Sequence, residues 1–137
     1  MLTFEKCMAN NVAYRGQQFT IVYAIRNDDS IPALDFFGNL DRQWQARFLT
    51  LYTRLGDTGR ISNLEQFSKF GDDFWEFKAF RYRMPCYYRE GRQVVITHGF
   101  IKKKEGRAPQ QELDRAEKIQ SEYEEKLKLQ TQNRRTK

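Results

Sequence analysis

The amino-acid sequence predicts an α+β fold in which an antiparallel-dominated, four-stranded sheet is covered by an N-terminal helical hairpin and followed by a C-terminal helix. Three observations predict it. Strand-like segments follow one another between residues 74 and 101, two helical patterns precede them, and one long helical pattern follows them. The chain has 137 residues, the size of one domain with its own core, so we expect a single domain over residues 1–137.

The strand pattern gives the predicted sheet one apolar and one charged face. It covers residues 74–81, 82–89 and 94–101. Because alternate side chains point to opposite faces of a strand, Trp75 and Phe77 share one face, whereas Glu76 and Lys78 share the other. In the next segment Arg83 falls on the charged side. The sequence therefore predicts cationic side chains from neighbouring strands on one surface.

One more strand and the helical hairpin are predicted before this sheet. Residues 18–25 alternate as a strand, and residues 31–37 and 41–55 have helical patterns. The apolar stripe of the second helix recurs at steps of three and four, at Leu40, Trp44, Phe48, Leu51 and Leu55. Residues 60–71 read as a connector. We expect Trp44 and Trp75 to be buried, so that truncation of either to alanine would cost about 3–5 kcal/mol.

The two ends of the chain are predicted to contribute less. Residues 1–16 show weak periodicity and read as an N-terminal extension, and residues 105–109 read as a loop. Residues 110–129 form the C-terminal helix, with an apolar stripe at Leu113, Ala116, Gln120, Tyr123 and Leu127. Residues 131–137 are expected to be a frayed basic tail. Pro85 cannot donate a ladder hydrogen bond, so its strand needs a bulge if it is central.

Composition favours a polyanionic partner. Lys and Arg number 24 against 18 Asp and Glu, which gives a net charge of +6. One histidine and two distant cysteines cannot make a metal-ligand cluster, and two cysteines fit reduced thiols in a cytosolic protein. No apolar run is long enough to span a membrane. We therefore expect a cytoplasmic protein that needs no cofactor.

Four short motifs carry a resemblance to a known family. They are Phe74-Trp75-Glu76-Phe77-Lys78, Tyr82-Arg83, His98-Gly99-Phe100-Ile101-Lys102-Lys103, and Pro109 with Glu112 and Ala116. In this order and spacing, across residues 18–123, the chain resembles the RelE/HigB toxins of bacterial type II toxin-antitoxin systems, in particular the phage-derived HigB-like branch of the RelE/ParE superfamily. The resemblance implies a RelE-like fold.

The same resemblance implies a metal-independent endoribonuclease that cleaves mRNA on the ribosome and is neutralised by a HigA-like helix-turn-helix antitoxin. Carried over by position, the catalytic residues would be Lys78, Arg83 and Lys103. Arg83 would hold the scissile phosphate, and Lys103 would hold a neighbouring phosphate or stabilise negative charge. Further RNA-binding residues would be Lys102, Lys104, Glu76, His98 and Tyr87.

Each site residue has a structural alternative. Lys78 and Arg83 would also suit the solvated face of a sheet, and residues 102–104 a solubilising run. Glu76 would serve as a base or as a partner in a cross-strand ion pair. His98 would be a general acid or base, or a hydrogen-bonded structural residue. The aromatic residues weighed for base stacking, Tyr87, Tyr88 and Phe80, would also suit the core.

Two other functions remain open at this stage. One is a ParE-like toxin that poisons DNA gyrase, although that activity needs no phosphate-clamping pocket. The other is a non-catalytic module that binds nucleic acid or a protein partner. Two departures from the family pattern bear on catalysis: Pro85 within a strand, and the lack of a tyrosine in the first turn of the C-terminal helix.

Overall fold

The α+β class is confirmed, with more strands than expected. The computed structural model describes residues 11–103 and 109–135. In chain order the elements are β1 (Val12–Arg15), β2 (Thr20–Tyr23), α1 (Pro32–Gly38), α2 (Arg42–Thr58), β3 (Phe67–Phe70), β4 (Phe74–Ala79), β5 (Tyr82–Arg89), β6 (Gln93–Ile96), β7 (Phe100–Ile101) and α3 (Gln110–Arg135). Residues 1–10, 104–108 and 136–137 lie outside the described residues, and so do the predictions made for these positions.

All described strands belong to one sheet of seven strands, so the prediction of four was wrong. The strand order is β1-β2-β6-β5-β4-β3, and β7 also pairs with β5. Every pairing is antiparallel except that of β2 with β6, which is parallel. The helical hairpin of α1 and α2 is not N-terminal, because two strands precede it.

The sheet is covered on both faces. On the first face, α1 and α2 pack over a core that includes Tyr52 and Phe48 from α2 with Phe77 and Met84 from the sheet. On the second face, α3 packs over a smaller core that includes Phe74, Tyr87, Val95, Ala116, Ile119 and Tyr123. The alternation predicted for β4 and β5 is present, but Phe74 and Tyr87 on the charged face lie in the core under α3 rather than in solvent.

Backbone contact fixes α2 against the start of the sheet. A Cβ atom built on Gly16, in the turn between β1 and β2, would lie 2.2 Å from the carbonyl carbon of Gly56 in α2. The carbonyl oxygen of Gly56 accepts hydrogen bonds from the backbone N–H groups of Gln18 and Phe19, at 2.7 and 2.9 Å. Two glycines therefore allow the turn and the helix to approach more closely than side chains would permit.

Polar contacts hold α3 on the second face. Arg26, which follows β2, makes a two-pronged contact with Glu122, at 3.1 Å from Nε and 2.7 Å from Nη2. The Arg26 guanidinium is the main reason that the pKa of Glu122 falls to about 2. Glu124 accepts hydrogen bonds from Tyr87 and Arg89. The helix continues to Arg135, beyond the predicted end at residue 129, so residues 131–135 are helical rather than a frayed tail.

Pro85 lies in a central strand, and the irregularity it requires is in the partner strand. The register between β4 and β5 runs through the Glu76–Pro85 pair without a shift. On the other side, between the Cys86–Ile96 and Arg83–Phe100 pairs, β5 advances three residues and its partner four. The Pro85 carbonyl accepts from the Thr97 N–H at 2.9 Å, so the missing N–H of Pro85 also faces this break. The segment predicted as one strand, residues 94–101, is therefore divided into β6 and β7. Three residues separate them, one more than the two residues opposite in β5.

The two tryptophans are only partly buried. Trp75 stacks on Phe67 at 5.6 Å between ring centroids, with Lys69 over its ring. Trp44 stacks on Phe80, whose ring is 59% exposed. Both lie at the edge of the first core, so the full cost of truncation predicted from the sequence does not apply to either residue. Among the described helices, none combines the length and apolarity needed to cross a bilayer.

Candidate functional site

Three cations that the sequence predicted as site residues lie together at one end of the sheet. Lys78 on β4 and Arg83 on β5 are directly opposite each other, so both side chains leave the same face. Lys102 follows β7, and its backbone N–H donates to the Arg81 carbonyl at 2.7 Å. The charge of Lys102 acts on both Glu76 and Lys78. We call Lys78, Arg83 and Lys102 the basic cluster.

Glu76 lies beside the basic cluster and is 6% exposed. Its Oε1 is 3.5 Å from Nε of Arg83, an ion-pair distance, yet neither atom has a hydrogen-bond partner among the described residues. Burial raises the pKa of the Glu76 carboxyl, against the opposing influence of Arg83, Lys78 and Lys102. The distance between Glu76 and Arg83 agrees with the ion-pair interpretation of Glu76.

The Arg83 side chain is fixed by the turn between β4 and β5. Its Nη1 donates to the carbonyl oxygens of Phe80 and Tyr82, at 2.8 and 3.0 Å. These two bonds set the plane of the guanidinium, which carries five N–H donors in all. The group is therefore held in place with donor capacity beyond the two carbonyls.

Lys78 has a lowered pKa. Burial is the largest cause, and the positive charges of Arg83 and Lys102 add to it, while Glu76 and Glu65 oppose it. A lysine with a lowered pKa exchanges its proton more readily near neutral pH than an ordinary surface lysine. The fixed cation Arg83 thus lies beside Lys78, whose pKa is lowered, and Glu76, whose pKa is raised.

Of the two remaining predicted lysines, the structure describes one. Lys103 is exposed and lies one residue beyond Lys102. Lys104 lies outside the described residues. Arg81 was not singled out from the sequence, although its exposed side chain and its carbonyl bond to Lys102 place it at the same end of the sheet. The spacing of Lys78, Arg81 and Arg83 around a two-residue loop was the signal for it.

His98 lies inside the molecule, which removes it from an RNA-contacting surface. It is fully buried in the break between β6 and β7. Its Nδ1 is 2.9 Å from the Thr97 hydroxyl and its Nε2 is 3.1 Å from Oε1 of Glu112 on α3. Burial, with the charges of Arg115 and Arg26, lowers its pKa to about 3. The ring is therefore neutral, with Nε2–H donating to Glu112 and Nδ1 accepting from Thr97.

Tyr87 is also inaccessible to RNA. It is 4% exposed, belongs to the core under α3, and donates its hydroxyl hydrogen to Glu124 at 2.7 Å. Its place in the register puts it on the same face as Arg83, as predicted, but on the part of that face that α3 covers. His98 and Tyr87 thus have the structural roles that the sequence left as their alternatives.

Within residues 11–103 and 109–135, no group of three or more His, Cys, Asp or Glu side chains is arranged to hold a metal ion. The side chains at the basic cluster and Glu76 provide ammonium, guanidinium and carboxyl groups. These groups bind phosphate and exchange protons.

The protein is thus an α+β domain with a cationic cluster at one end of a sheet that lies between two helical layers. Residues 35–121 match the family model described as Phage derived protein Gp49-like (DUF891). The match covers more than half of the chain, and the protein belongs to this family, which is a toxin family of the RelE/HigB-like type. The predicted toxin class is confirmed at this level. No curated protein sequence matches the chain.

Family membership has two consequences. Gp49-like toxins are in general of the endoribonuclease type. Toxins of toxin-antitoxin systems act with a cognate antitoxin, so an antitoxin partner is indicated for this chain as well. The family match begins within α1 and ends within α3, so it includes every member of the basic cluster.

Proposed function

We propose that the protein is a toxin that cleaves RNA at the basic cluster and that a cognate antitoxin neutralises it. The observation that carries the proposal is the direct cross-strand pairing of Lys78 and Arg83 beside the buried carboxyl group of Glu76. Family membership supports the reaction class, and the net charge of +6 supports a polyanionic substrate.

Cleavage of RNA by attack of its own 2′-hydroxyl requires three catalytic roles from the protein. A base removes the hydroxyl proton, cations stabilise the charge on the phosphate, and an acid protonates the leaving 5′-oxygen. We assign the first to Glu76, the second to Arg83 and the third to Lys78. A bond forms between the 2′-oxygen and phosphorus as the bond to the 5′-oxygen breaks, which leaves a 2′,3′-cyclic phosphate and a 5′-hydroxyl.

The unpaired atoms of the Glu76–Arg83 contact support this assignment. The Nε–H of Arg83 is an unused donor and Oε1 of Glu76 an unused acceptor. Because both atoms are buried, the contact between the two side chains must open before a phosphate oxygen can accept from Nε and a 2′-hydroxyl can donate to Oε1. Substrate binding would then replace an ion pair that lacks a hydrogen bond with two charge-assisted hydrogen bonds.

The neighbouring lysines fit phosphates on either side of the scissile one. Lys102 lies within the cluster, and Lys103 is exposed beside it. We propose mRNA on the ribosome as the substrate and a HigA-like helix-turn-helix protein as the antitoxin, on the resemblance described above. An antitoxin that covers the basic cluster would block the substrate directly.

Induction of the protein alone, with RNA sequencing of the 5′-hydroxyl ends, tests the proposal. Replacement of Lys78 by glutamine should slow cleavage about 100-fold, because general acid catalysis by a positioned side chain contributes that much. Since removal of Arg83 alone would leave Glu76 buried and unpaired, the pair is tested as a double replacement, Glu76→Gln with Arg83→Gln.

Lys118→Gln is the charge-matched control, because Lys118 is exposed on α3 and lies outside the basic cluster. Wild-type cleavage by the Lys118 variant and slow cleavage by the other two would support the proposal. Equal cleavage by all four proteins would refute the site. Growth arrest without new RNA ends would refute the reaction and favour a gyrase-poisoning toxin instead.

A further inference from the structure

Phe80 has an unusual place for an aromatic residue. It is the first of the two residues that connect β4 to β5, its φ is 55°, and its side chain is 59% exposed. At this position of a hairpin loop glycine, asparagine and aspartate are preferred, and a bulky residue at positive φ strains the backbone. A ring that is both strained and exposed contributes little to folding, which points to a role at the surface.

The ring of Phe80 lies flat against Trp44. Their centroids are 5.1 Å apart and their planes differ by 8°. The edge of Tyr82 meets Phe80 at 6.0 Å. The guanidinium of the exposed Arg81 lies over the Phe80 ring, 4.7 Å from its centroid, so a base that stacks on this ring must displace Arg81. Trp44 and Tyr82 therefore hold the exposed ring in one orientation. We call Phe80 and Trp44 the aromatic platform.

Hydrogen bonds join the aromatic platform to the basic cluster. The carbonyl oxygen of Phe80 accepts from Nη1 of Arg83 at 2.8 Å. The carbonyl oxygen of the next residue, Arg81, accepts from the backbone N–H of Lys102 at 2.7 Å. The loop that carries the exposed ring is thus bonded at both of its residues to members of the cluster, and the two features form one continuous surface.

We propose that Phe80 stacks on an unpaired base of single-stranded RNA whose phosphate lies on the basic cluster. This inference rests on the proposed function and names its substrate class. A single strand is required because the faces of bases in a duplex are already stacked on their neighbours. Sites that bind single strands usually combine cationic groups, which bind the phosphates, with aromatic rings, which stack on the bases. The basic cluster and Phe80 provide both for one nucleotide.

Binding of a non-cleavable RNA separates this inference from catalysis. The probe is a fluorescent 2′-O-methyl hexa-adenylate, which lacks the attacking hydroxyl, and its fully abasic counterpart provides a backbone without bases. Phe80→Gly should bind the adenylate roughly 5- to 100-fold more weakly than the wild type, the loss that removal of one base-stacking ring causes. Both proteins should bind the abasic strand equally.

Two variants guard against a purely structural explanation. Phe80→Gly should unfold at the same or a higher urea concentration than the wild type, because glycine adopts a positive φ without strain. Phe80→Trp should keep the affinity of the wild type. The control is Tyr88→Leu, which removes another exposed ring six residues along β5 from Tyr82, about 20 Å away. It should leave RNA binding unchanged.

The outcomes separate the inference from the proposed function. Unchanged affinity in Phe80→Gly, with cleavage intact, would overturn the stacking role and leave the ribonuclease standing. Stacking-dependent binding by a protein that cuts no RNA would support the inference and overturn the ribonuclease. No RNA binding by the wild type would overturn the stacking inference, whereas the proposed function is decided by the RNA ends in induced cells. If Phe80→Gly binds RNA normally but no longer binds the antitoxin, the aromatic platform is a protein-docking surface and the inference is wrong.

Discussion

Replacement of Phe77 by alanine is expected to lower the free energy of unfolding by about 3–5 kcal/mol, the cost of truncating a buried phenylalanine. Phe77 is fully buried at the centre of the first core. Its ring centroid lies 5.0 Å from that of Phe67 and 5.1 Å from that of Tyr52. The cavity would open between the sheet and α2, where both layers are held by their own hydrogen bonds and cannot collapse. Because a domain is stable by only about 5–15 kcal/mol, this loss is a large fraction of the stability.

Urea denaturation measures this loss, and Trp75 provides the matched comparison. Trp75 lies two residues earlier on β4, on the same face, but it is only partly buried and its stacking partners lie at the sheet edge. Trp75→Ala should lower the free energy of unfolding by about 1–2 kcal/mol, because Trp75 buries a smaller fraction of its apolar surface than Phe77 does. An equal or larger loss in Trp75→Ala than in Phe77→Ala would contradict the packing of α2 over the centre of β4.

The parts of the fold that the sequence predicts well are those in which one residue pattern has one structural solution. Alternation along β4 and β5 assigns each side chain to a face, which places Lys78 and Arg83 on the same surface as predicted. The two-residue loop of Phe80 and Arg81, which fixes their direct pairing, was predicted as part of a strand. The stripe that contains Phe48, Leu51 and Leu55 likewise identifies α2 and its buried side.

Short elements were missed for a physical reason. β1 and β3 have four residues each, and such strands form because a neighbouring strand supplies hydrogen bonds, which local composition does not record. Phe67 and Phe70 in the predicted connector were apolar signals without enough length to show alternation. The division into β6 and β7 depends on Pro85 in another strand, so it is a tertiary effect.

The candidate site divides along the same line. Lys78, Arg83 and Lys102 could be placed together from the strand order, because their positions depend on neighbouring hairpins. The burial of His98 and Tyr87 could not, since it depends on where α3 crosses the second face. A narrow apolar stripe indicates that a helix packs against the rest of the protein, but it does not identify the part of the sheet that the helix covers.

Protein stability is expected to fall by about 2–3 kcal/mol as the pH is lowered from 6.5 to 4.5, because His98 stays neutral in the folded protein. Its folded pKa is about 3, whereas an unfolded histidine has a pKa near 6.5. Below pH 6.5 the unfolded chain therefore takes up a proton that the folded protein does not, which favours unfolding. The stability that comes from neutral His98 is fully present above pH 6.5 and is lost progressively as the pH falls towards 3.

The charged groups around His98 determine the pH range of the measurement. Arg26 and Arg115 repel a proton on the ring, and Glu112 accepts the hydrogen of Nε2. Glu122, with a pKa of about 2, loses its stabilising charge only below about pH 4.5, and the raised pKa of Glu76 acts in the opposite direction. Between pH 4.5 and 6.5 Glu76 therefore opposes His98, and the difference between the wild type and His98→Gln isolates the contribution of His98.

His98→Gln tests the origin of this pH dependence. Glutamine can donate an amide hydrogen to Glu112 but does not titrate, so the slope of unfolding free energy against pH should flatten between pH 4.5 and 6.5. Because the chain has one histidine, its ring resonances in an NMR titration of the untagged protein belong to His98 alone. They should keep the chemical shifts of neutral imidazole down to pH 4.5. Protonation of the folded protein near pH 6.5 would mean that α3 does not seal the break between β6 and β7, since a ring open to water would recover its ordinary pKa.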